Sequence, residues 1–385
     1  MGDAFPKLRL AAAQAAPVFL DREATVEKAC RIIRDAGSNG ADVIGFPEGF
    51  IPAHPLWFHF HAATSPHAMA LSQELFANAV VVPSPATDQL CAAARAAATW
   101  VVVGICEKTS TSMGSMYNSL LVIDREGSIA GVRRKIVPTV GERIVHTAGS
   151  GDSVRVFPTE FGAISGLMCG ENSNPLLTFS MQAFGAGVHV ASWPSFFNAA
   201  VDMQSIADVA ARAIAYQNSA YVINTIGAVD EPMVERLPLT DADRDHIRAS
   251  ATRGGSAIYA PGGRVAAGPL SGGEEILYAD ADLARIVPRK IVHDYAGDYN
   301  RFDIFELTVH ADPGAPPIHL QRPAGPTSPA LQSLEEPGPA AIRVSRPRTR
   351  RLGTGTTASA ATAEAFDDPR ESQMGGPDME TSPDA

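Results

Sequence analysis

The sequence predicts a layered α/β domain whose sheets contain both parallel and antiparallel strand pairs. Three observations lead there. Short apolar runs alternate with helical periods from about residue 5 to residue 310. Helical crossovers between some runs require parallel pairing, whereas the Glu126-Gly127 turn between two others requires an antiparallel pair. The composition, 45% hydrophobic and 19% charged over 385 residues, is that of a chain able to bury a large core without disulfide or metal staples.

The elements follow in order. Leu8 to Ala13 is a first buried strand. Val26, Ala29, Cys30 and Ile33 fall at i, i+3, i+4 and i+7, and predict a helix that stops at Gly37 as its C-cap. Asp42 to Phe46 is a strand halted by Pro47, and the alanine-rich stretch from Thr87 to Ala98 a helix. Strands are expected at Trp100 to Glu107, Ser119 to Asp124, Ile129 to Arg134, Val154 to Phe157 and Ile164 to Cys169. Helix, strand and long helix recur at Pro175 to Ala186, Val188 to Ser192 and Asp202 to Asn218. Tyr221 to Ile226 and Ser256 to Ala260 close the pattern, with a turn at Pro261-Gly262-Gly263.

Composition breaks once, which divides the chain into a domain over 1–310 and a tail over 311–385. The last 75 residues hold 12 of the 29 prolines and a single aromatic, Phe366. Such a segment cannot bury enough apolar surface to offset its ordering entropy, so a disordered tail, dispensable for folding, is expected. It includes one basic patch (Arg343, Arg346, Arg348, Arg350, Arg351) with acidic residues on both sides.

Several function classes are excluded early. A net charge of -11 gives no footprint for a phosphate backbone, so no nucleic-acid partner is expected. Four scattered cysteines make neither a disulfide scaffold nor a C-x-x-C pair. No apolar run reaches the length of about eighteen residues that a membrane span needs. Lys7 and Arg9 precede an apolar run, but Gln14 and Pro17 interrupt it and Asp21-Arg22-Glu23 follows, which reads as a buried strand rather than a leader. A cytoplasmic protein is expected. Nucleotide-binding glycine motifs are missing. His54, His59, His61 and His67 crowd together, yet no cysteine or carboxylate pair near them completes a metal shell, so no metal and no cofactor is expected.

Three places put a reactive group just after a strand. Gly166 to Asn172 carries Cys169 toward a helix beginning near Pro175, whose N–H groups would favour the thiolate. Gly170 lets backbone N–H approach an anion there. A buried cysteine is also commonly no more than a small hydrophobe. Phe46 to Pro52 places Glu48 after a buried strand, where a raised pKa would let it take the thiol proton, or where it is simply a solvated loop residue. Arg133 to Thr139, with Glu142-Arg143 beyond, brings out Lys135, either to stabilise developing negative charge or as part of a surface cluster.

Taken together, in the order Glu, Lys, Cys, the segments P-E-G-F-I-P, R-K-I-V-P-T-V-G-E-R and G-L-M-C-G-E-N resemble the nitrilase (carbon–nitrogen hydrolase) superfamily. The resemblance continues through Val190 to Ser195 and reaches the family's C-terminal D-Y-x-G-H-Y-x-R-P-D pattern at Asp294 to Asp303. K-x-x-P-T-x-x-E-R and C-x-E-N are similar to the nitrile-hydrolysing branch. Three positions depart: Gly170 replaces the branch's tryptophan, and Asp298 and Phe302 replace the C-terminal histidine and proline.

The resemblance implies a four-layer α-β-β-α sandwich that dimerises or extends into a spiral. It implies Cys169 as nucleophile, Glu48 as general base and acid, Lys135 as charge stabiliser and Glu142 as a positioning glutamate. Gly170, Asn172 and Trp193 would border the substrate. The implied substrates are an organic nitrile and water, and the products the carboxylic acid and ammonia, through a thioimidate and an acyl-enzyme. An amidase using the same acyl-enzyme, and a non-catalytic scaffold, are the alternatives.

Overall fold

The computed structural model describes residues 4–109 and 112–311. Beyond its first residue, the predicted tail lies outside the described residues. Among the described residues there are twelve strands, β1 (Lys7–Gln14), β2 (Val43–Gly45), β3 (Trp100–Lys108), β4 (Met116–Ile123), β5 (Ile129–Arg134), β6 (Phe157–Thr159), β7 (Gly162–Met168), β8 (Val188–Trp193), β9 (Tyr221–Ile226), β10 (Ala257–Ala260), β11 (Arg264–Ala267) and β12 (Glu275–Asp282). The α-helices among the described residues are α1 (Arg22–Ser38), α2 (Pro66–Asn78), α3 (Pro85–Ala97), α4 (Pro175–Ala183), α5 (Met203–Gln217), α6 (Glu231–Arg236), α7 (Asp241–Ala251) and α8 (Ile286–His293).

Two six-stranded sheets result, ordered β12-β1-β2-β3-β4-β5 and β11-β10-β9-β8-β7-β6. In each, three neighbours are parallel (β1, β2 and β3; β7, β8 and β9), and the remaining pairs are antiparallel. Strand alternation then builds the layers. Leu8, Leu10 and Ala12 of β1 pack with Val190 and Ile223 in the core between the sheets, whereas Ala11 and Ala13 join Val26, Ile33 and Leu90 of α1 and α3. On the other side α5 lays Ala211, Ile214 and Ala215 against Val222 and Tyr259. The layers run helix, sheet, sheet, helix, as expected.

Tertiary contacts corrected several local expectations. α1 does not stop at Gly37 but runs to Ser38 with Asn39 as its cap. Gly37 serves close approach instead: a Cβ there would lie 2.5 Å from the Cβ of Ala97, so its bare backbone lets α1 lie against the end of α3. The strand expected at Val154 to Phe157 begins only at Phe157, after a 3₁₀ turn over Gly151–Ser153. The helix expected to reach Ala186 ends at Ala183. α2, α6, α7, α8, β11 and β12 were not anticipated. None of the helices among the described residues is long and apolar enough to cross a membrane.

Candidate active site

Glu48 sits in the loop that leaves β2, and both sheets pin that loop. Phe46 N donates to Val102 O at 2.9 Å and Ile51 N to Gly104 O at 3.0 Å, which keeps the loop alongside β3. Gly104 is required by the crossing, since a Cβ there would lie 2.2 Å from Pro47 O. From the opposite sheet, Ser192 Oγ and Thr225 Oγ1 both donate to Phe46 O at 2.9 Å. The Glu48 N–H reaches Trp193 O at 3.2 Å.

Lys135 follows the last residue of β5, and its N–H donates to Asn118 O of β4 at 2.7 Å. Its ammonium lies between two carboxylates, donating to Glu48 Oε1 at 2.7 Å and Glu142 Oε2 at 2.5 Å. Asn118 Nδ2 donates at 2.7 Å to Oε1 of both glutamates. Glu142 also accepts from Thr139 N at 2.9 Å and lies 3.3 Å from His146 Nδ1. Glu48, Lys135, Glu142 and Asn118 are all at most 2% exposed. Glu48 Oε2 is buried and has no partner.

Cys169 opens the 3₁₀ turn (Cys169–Ser173) that follows β7, at a φ of 48°. A non-glycine residue held in the left-handed region carries strain that its surroundings must outweigh. Much of that support is Asn172, whose Nδ2 donates to Cys169 O at 3.1 Å and Leu167 O at 3.2 Å. His189 Nε2 meets Asn172 Oδ1 at 3.0 Å, and Ser165 Oγ meets His189 Nδ1 at 2.7 Å. The Asn172 amide is thus hydrogen-bonded within the turn that opens at Cys169. Trp193 is fully buried in an apolar cluster with Cys169, and its indole N–H donates to Asn224 Oδ1 at 2.8 Å. Gly170 is exposed, and a Cβ there would meet nothing nearer than Thr139 Oγ1 at 3.6 Å.

The electrostatics follow from burial and from one cation facing two anions. Burial raises the Glu48 carboxyl, and Glu142 adds to this against the opposing pull of Lys135, leaving it at about 7. Burial also opposes the charge of Glu142, but Lys135 and His146 outweigh it and hold that carboxylate well below its ordinary range. Burial favours a neutral Lys135, yet the two glutamates overcome this and keep the ammonium charged. For Cys169, burial and then the Glu48 carboxylate push the thiol up, against the lowering influence of Lys135. The helix N-terminus expected to favour the thiolate does not outweigh burial and the neighbouring carboxylate, which favour the thiol.

The site can thus present a thiol, a carboxylate poised near neutrality with a free oxygen, and a fixed cation, in a dry setting. Among the described residues, Glu48, His54 and Glu142 form a grouping whose possible ligand atoms lie within 4.8 Å of one another. Lys135 already donates to both of those carboxylates, so a protein cation holds the central position. Two of the other crowded histidines have different work: His61 Nε2 and His67 Nε2 meet Leu237 O and Arg236 O at 3.0 and 2.9 Å, at the end of α6. Sequence reasoning missed Asn118 and His146. The available signal for Asn118 was an amide within the otherwise apolar run of β4.

Residues 9–290 match the family described as Carbon-nitrogen hydrolase. The chain is 37% identical over 309 residues to Nitrilase 2 from an unknown prokaryotic organism, covering 80% of this chain and 94% of that one. It is 33% identical over 332 residues to a nitrilase of Bacillus sp. (strain OxB-1), covering 84% and 94%. Among solved structures it resembles a carbon-nitrogen hydrolase from Helicobacter pylori G27, with a TM-score of 0.58 and 21% identity over 77% of this chain and 97% of that one. It likewise resembles an amidase from Nesterenkonia sp., with a TM-score of 0.53 and 18% identity over 74% and 94%. The two structural likenesses speak for the fold.

Proposed function

The chain belongs to the carbon–nitrogen hydrolase family, and we propose that it is a nitrilase, hydrolysing an organic nitrile to the carboxylic acid and ammonia. The observation that carries the chemistry is the buried Lys135 ammonium between Glu48 and Glu142, with one Glu48 oxygen without a partner and the Cys169 thiol within electrostatic reach of all three. The observation that favours a nitrile over an amide is the name nitrilase on relatives 37% and 33% identical over most of their length.

In this reading Glu48 takes the Cys169 proton as the sulfur attacks the nitrile carbon, and returns it to the nitrogen to give a thioimidate. Glu48 then deprotonates water, which adds to the same carbon. Proton transfer to the nitrogen releases ammonia and leaves an acyl thioester, and a second water frees the acid and restores the thiol. Dividing one difficult addition into covalent steps lowers each barrier. Lys135 supplies fixed positive charge where negative charge develops, and being pre-oriented it needs no reorganisation. Glu142 and Asn118 hold that ammonium and the Glu48 carboxylate in register.

Assembly is part of the proposal. Ile206, Val209 and Tyr216 on α5 are 43%, 67% and 44% exposed, an apolar outer face suited to a second copy.

Ammonia release across aromatic, arylacetic and aliphatic nitriles, and their amides, tests the reading. Turnover of at least one nitrile in preference to its amide is expected. Cys169→Ala should reduce it to background, and a slow-reacting nitrile should leave a covalent adduct on Cys169 alone. Full activity in Cys169→Ala, or an adduct on another cysteine, would sink the proposal.

A further inference from the structure

A second buried ion pair lies beside the first. Arg133, on β5, is fully buried and forks onto Glu171, with Nη1 to Oε2 at 2.5 Å and Nη2 to Oε1 at 2.8 Å. Glu171 belongs to the turn that begins at Cys169, so the pair crosses between the two sheets. Each of its oxygens also accepts a backbone N–H: Oε1 from Ile136 at 2.8 Å and Oε2 from Met168 at 3.3 Å. Ile136 directly follows Lys135, and Met168 directly precedes Cys169.

We propose that Arg133 and Glu171 form a positioning clamp that fixes the Lys135 ammonium relative to the Cys169 sulfur. Lys135 and Cys169 come from different sheets, and the contact between those sheets is largely apolar. Apolar contact is non-directional, so it does not by itself fix the offset of two strand ends. A two-pronged guanidinium–carboxylate contact is directional in both distance and plane. Glu171 brackets Lys135 through Arg133 on one side and Ile136 on the other, and it holds the backbone immediately before Cys169. Neither member takes part in the proposed proton transfers, so their effect on turnover would pass through the two groups they hold. This inference rests on the proposed roles of Lys135 and Cys169.

The test separates positioning from stability. Replacing both members, Arg133→Met with Glu171→Met, exchanges the ion pair for apolar side chains of similar reach, a change that buried pairs often tolerate. Two quantities are read on the folded protein: kcat and KM on the best nitrile of the panel, and the pH profile of Cys169 alkylation by iodoacetamide, followed by mass. Alkylation needs no nitrile, so it reports on the clamp even if the substrate reading fails. The expected result is a kcat loss on the order of tenfold to a hundredfold, the scale that a displacement of about 1 Å produces, with KM changed less than about twofold. The alkylation midpoint should move with it, because Lys135 lowers the thiol's pKa. Glu171→Asp keeps the charge while shortening the reach, and should show a smaller loss of the same kind; it decides the matter if the double variant does not fold. A folded variant with wild-type kcat and an unmoved alkylation profile would overturn the clamp.

Discussion

Arg133 and Lys135 stand two residues apart in one segment, both buried to 1% or less, and they make opposite uses of their charge. Arg133 meets one carboxylate whose two oxygens are fully engaged, and only its own Nε is left over. Lys135 meets two carboxylates, and one oxygen of Glu48 is left open. The first arrangement is balanced, one cation against one carboxylate whose oxygens are all engaged. In the second, burial raises the Glu48 carboxyl and the neighbouring Glu142 adds to this against the pull of Lys135, which leaves it at about 7. A buried cation is therefore no signal of chemistry by itself. The signal is an imbalance that leaves one acid able to gain or lose a proton near neutral pH.

The comparison can be broken most severely at Lys135. Lys135→Met should lower kcat by on the order of a hundred- to a thousandfold or more while the protein stays folded, the scale seen when a single charge-stabilising donor is removed. Because Lys135 lowers the Glu48 carboxyl, its loss should also move the acid limb of the kcat/KM profile to higher pH. Retained activity would show that the ammonium does not face the reacting atoms.

Removing one member of the balanced pair should act chiefly on stability. Arg133→Met alone leaves Glu171 buried without its counter-ion, a change that costs ~3–5 kcal/mol at such sites. The double replacement should recover much of that. Chemical denaturation of the two variants checks the order, and a double variant as unstable as the single one would contradict it.

A subtler change sharpens the imbalance. Glu48 must be ionised to accept the thiol proton, so kcat/KM in the wild type should fall as the pH drops below about 7. Glu142 raises that carboxyl, so Glu142→Gln should move the acid limb to lower pH, opposite in direction to Lys135→Met. Two shifts of the same sign would mean that the limb belongs to another group.

The smallest structural effect is expected at Gly170. A side chain there meets no close neighbour, so Gly170→Trp should leave the thermal midpoint nearly unchanged. It should still redistribute kcat/KM across the nitrile panel, because the position adjoins Cys169, the proposed nucleophile. Unchanged preferences in a folded variant would place residue 170 outside the substrate's reach.

Much of this organisation was legible in sequence, for identifiable reasons. β5 and β9 were read with the bounds they have, because each apolar run ends in a turn or a charge. Glu48, Lys135 and Cys169 could be singled out because each lies at or just beyond the end of such a run, and because their three motifs together resemble the family's. What was not legible depended on distant partners. β12 carries a mixed, half-exposed pattern, and it becomes a strand by pairing with β1 some 270 positions earlier in the chain. Gly37 looked like a stop because the neighbour that demands its bare backbone, Ala97, is far away in sequence. Arg133 and Glu171 each sat inside a motif read for a neighbouring residue, and their pairing required both sheets.

The pairing of β1 with β12 has a consequence for how the chain must be made. All eight residues of β1, Lys7 to Gln14, find their outer ladder partners only between Glu275 and Asp282. A ribosome synthesising the chain therefore exposes the first strand long before its outer neighbour exists. Until then the growing sheet ends in an open backbone edge carrying Leu10 and three consecutive alanines, the kind of edge that recruits strands from other chains. Truncation before residue 275 should leave that edge bare permanently, so shortened products are expected to be lost to aggregation rather than to accumulate as soluble fragments.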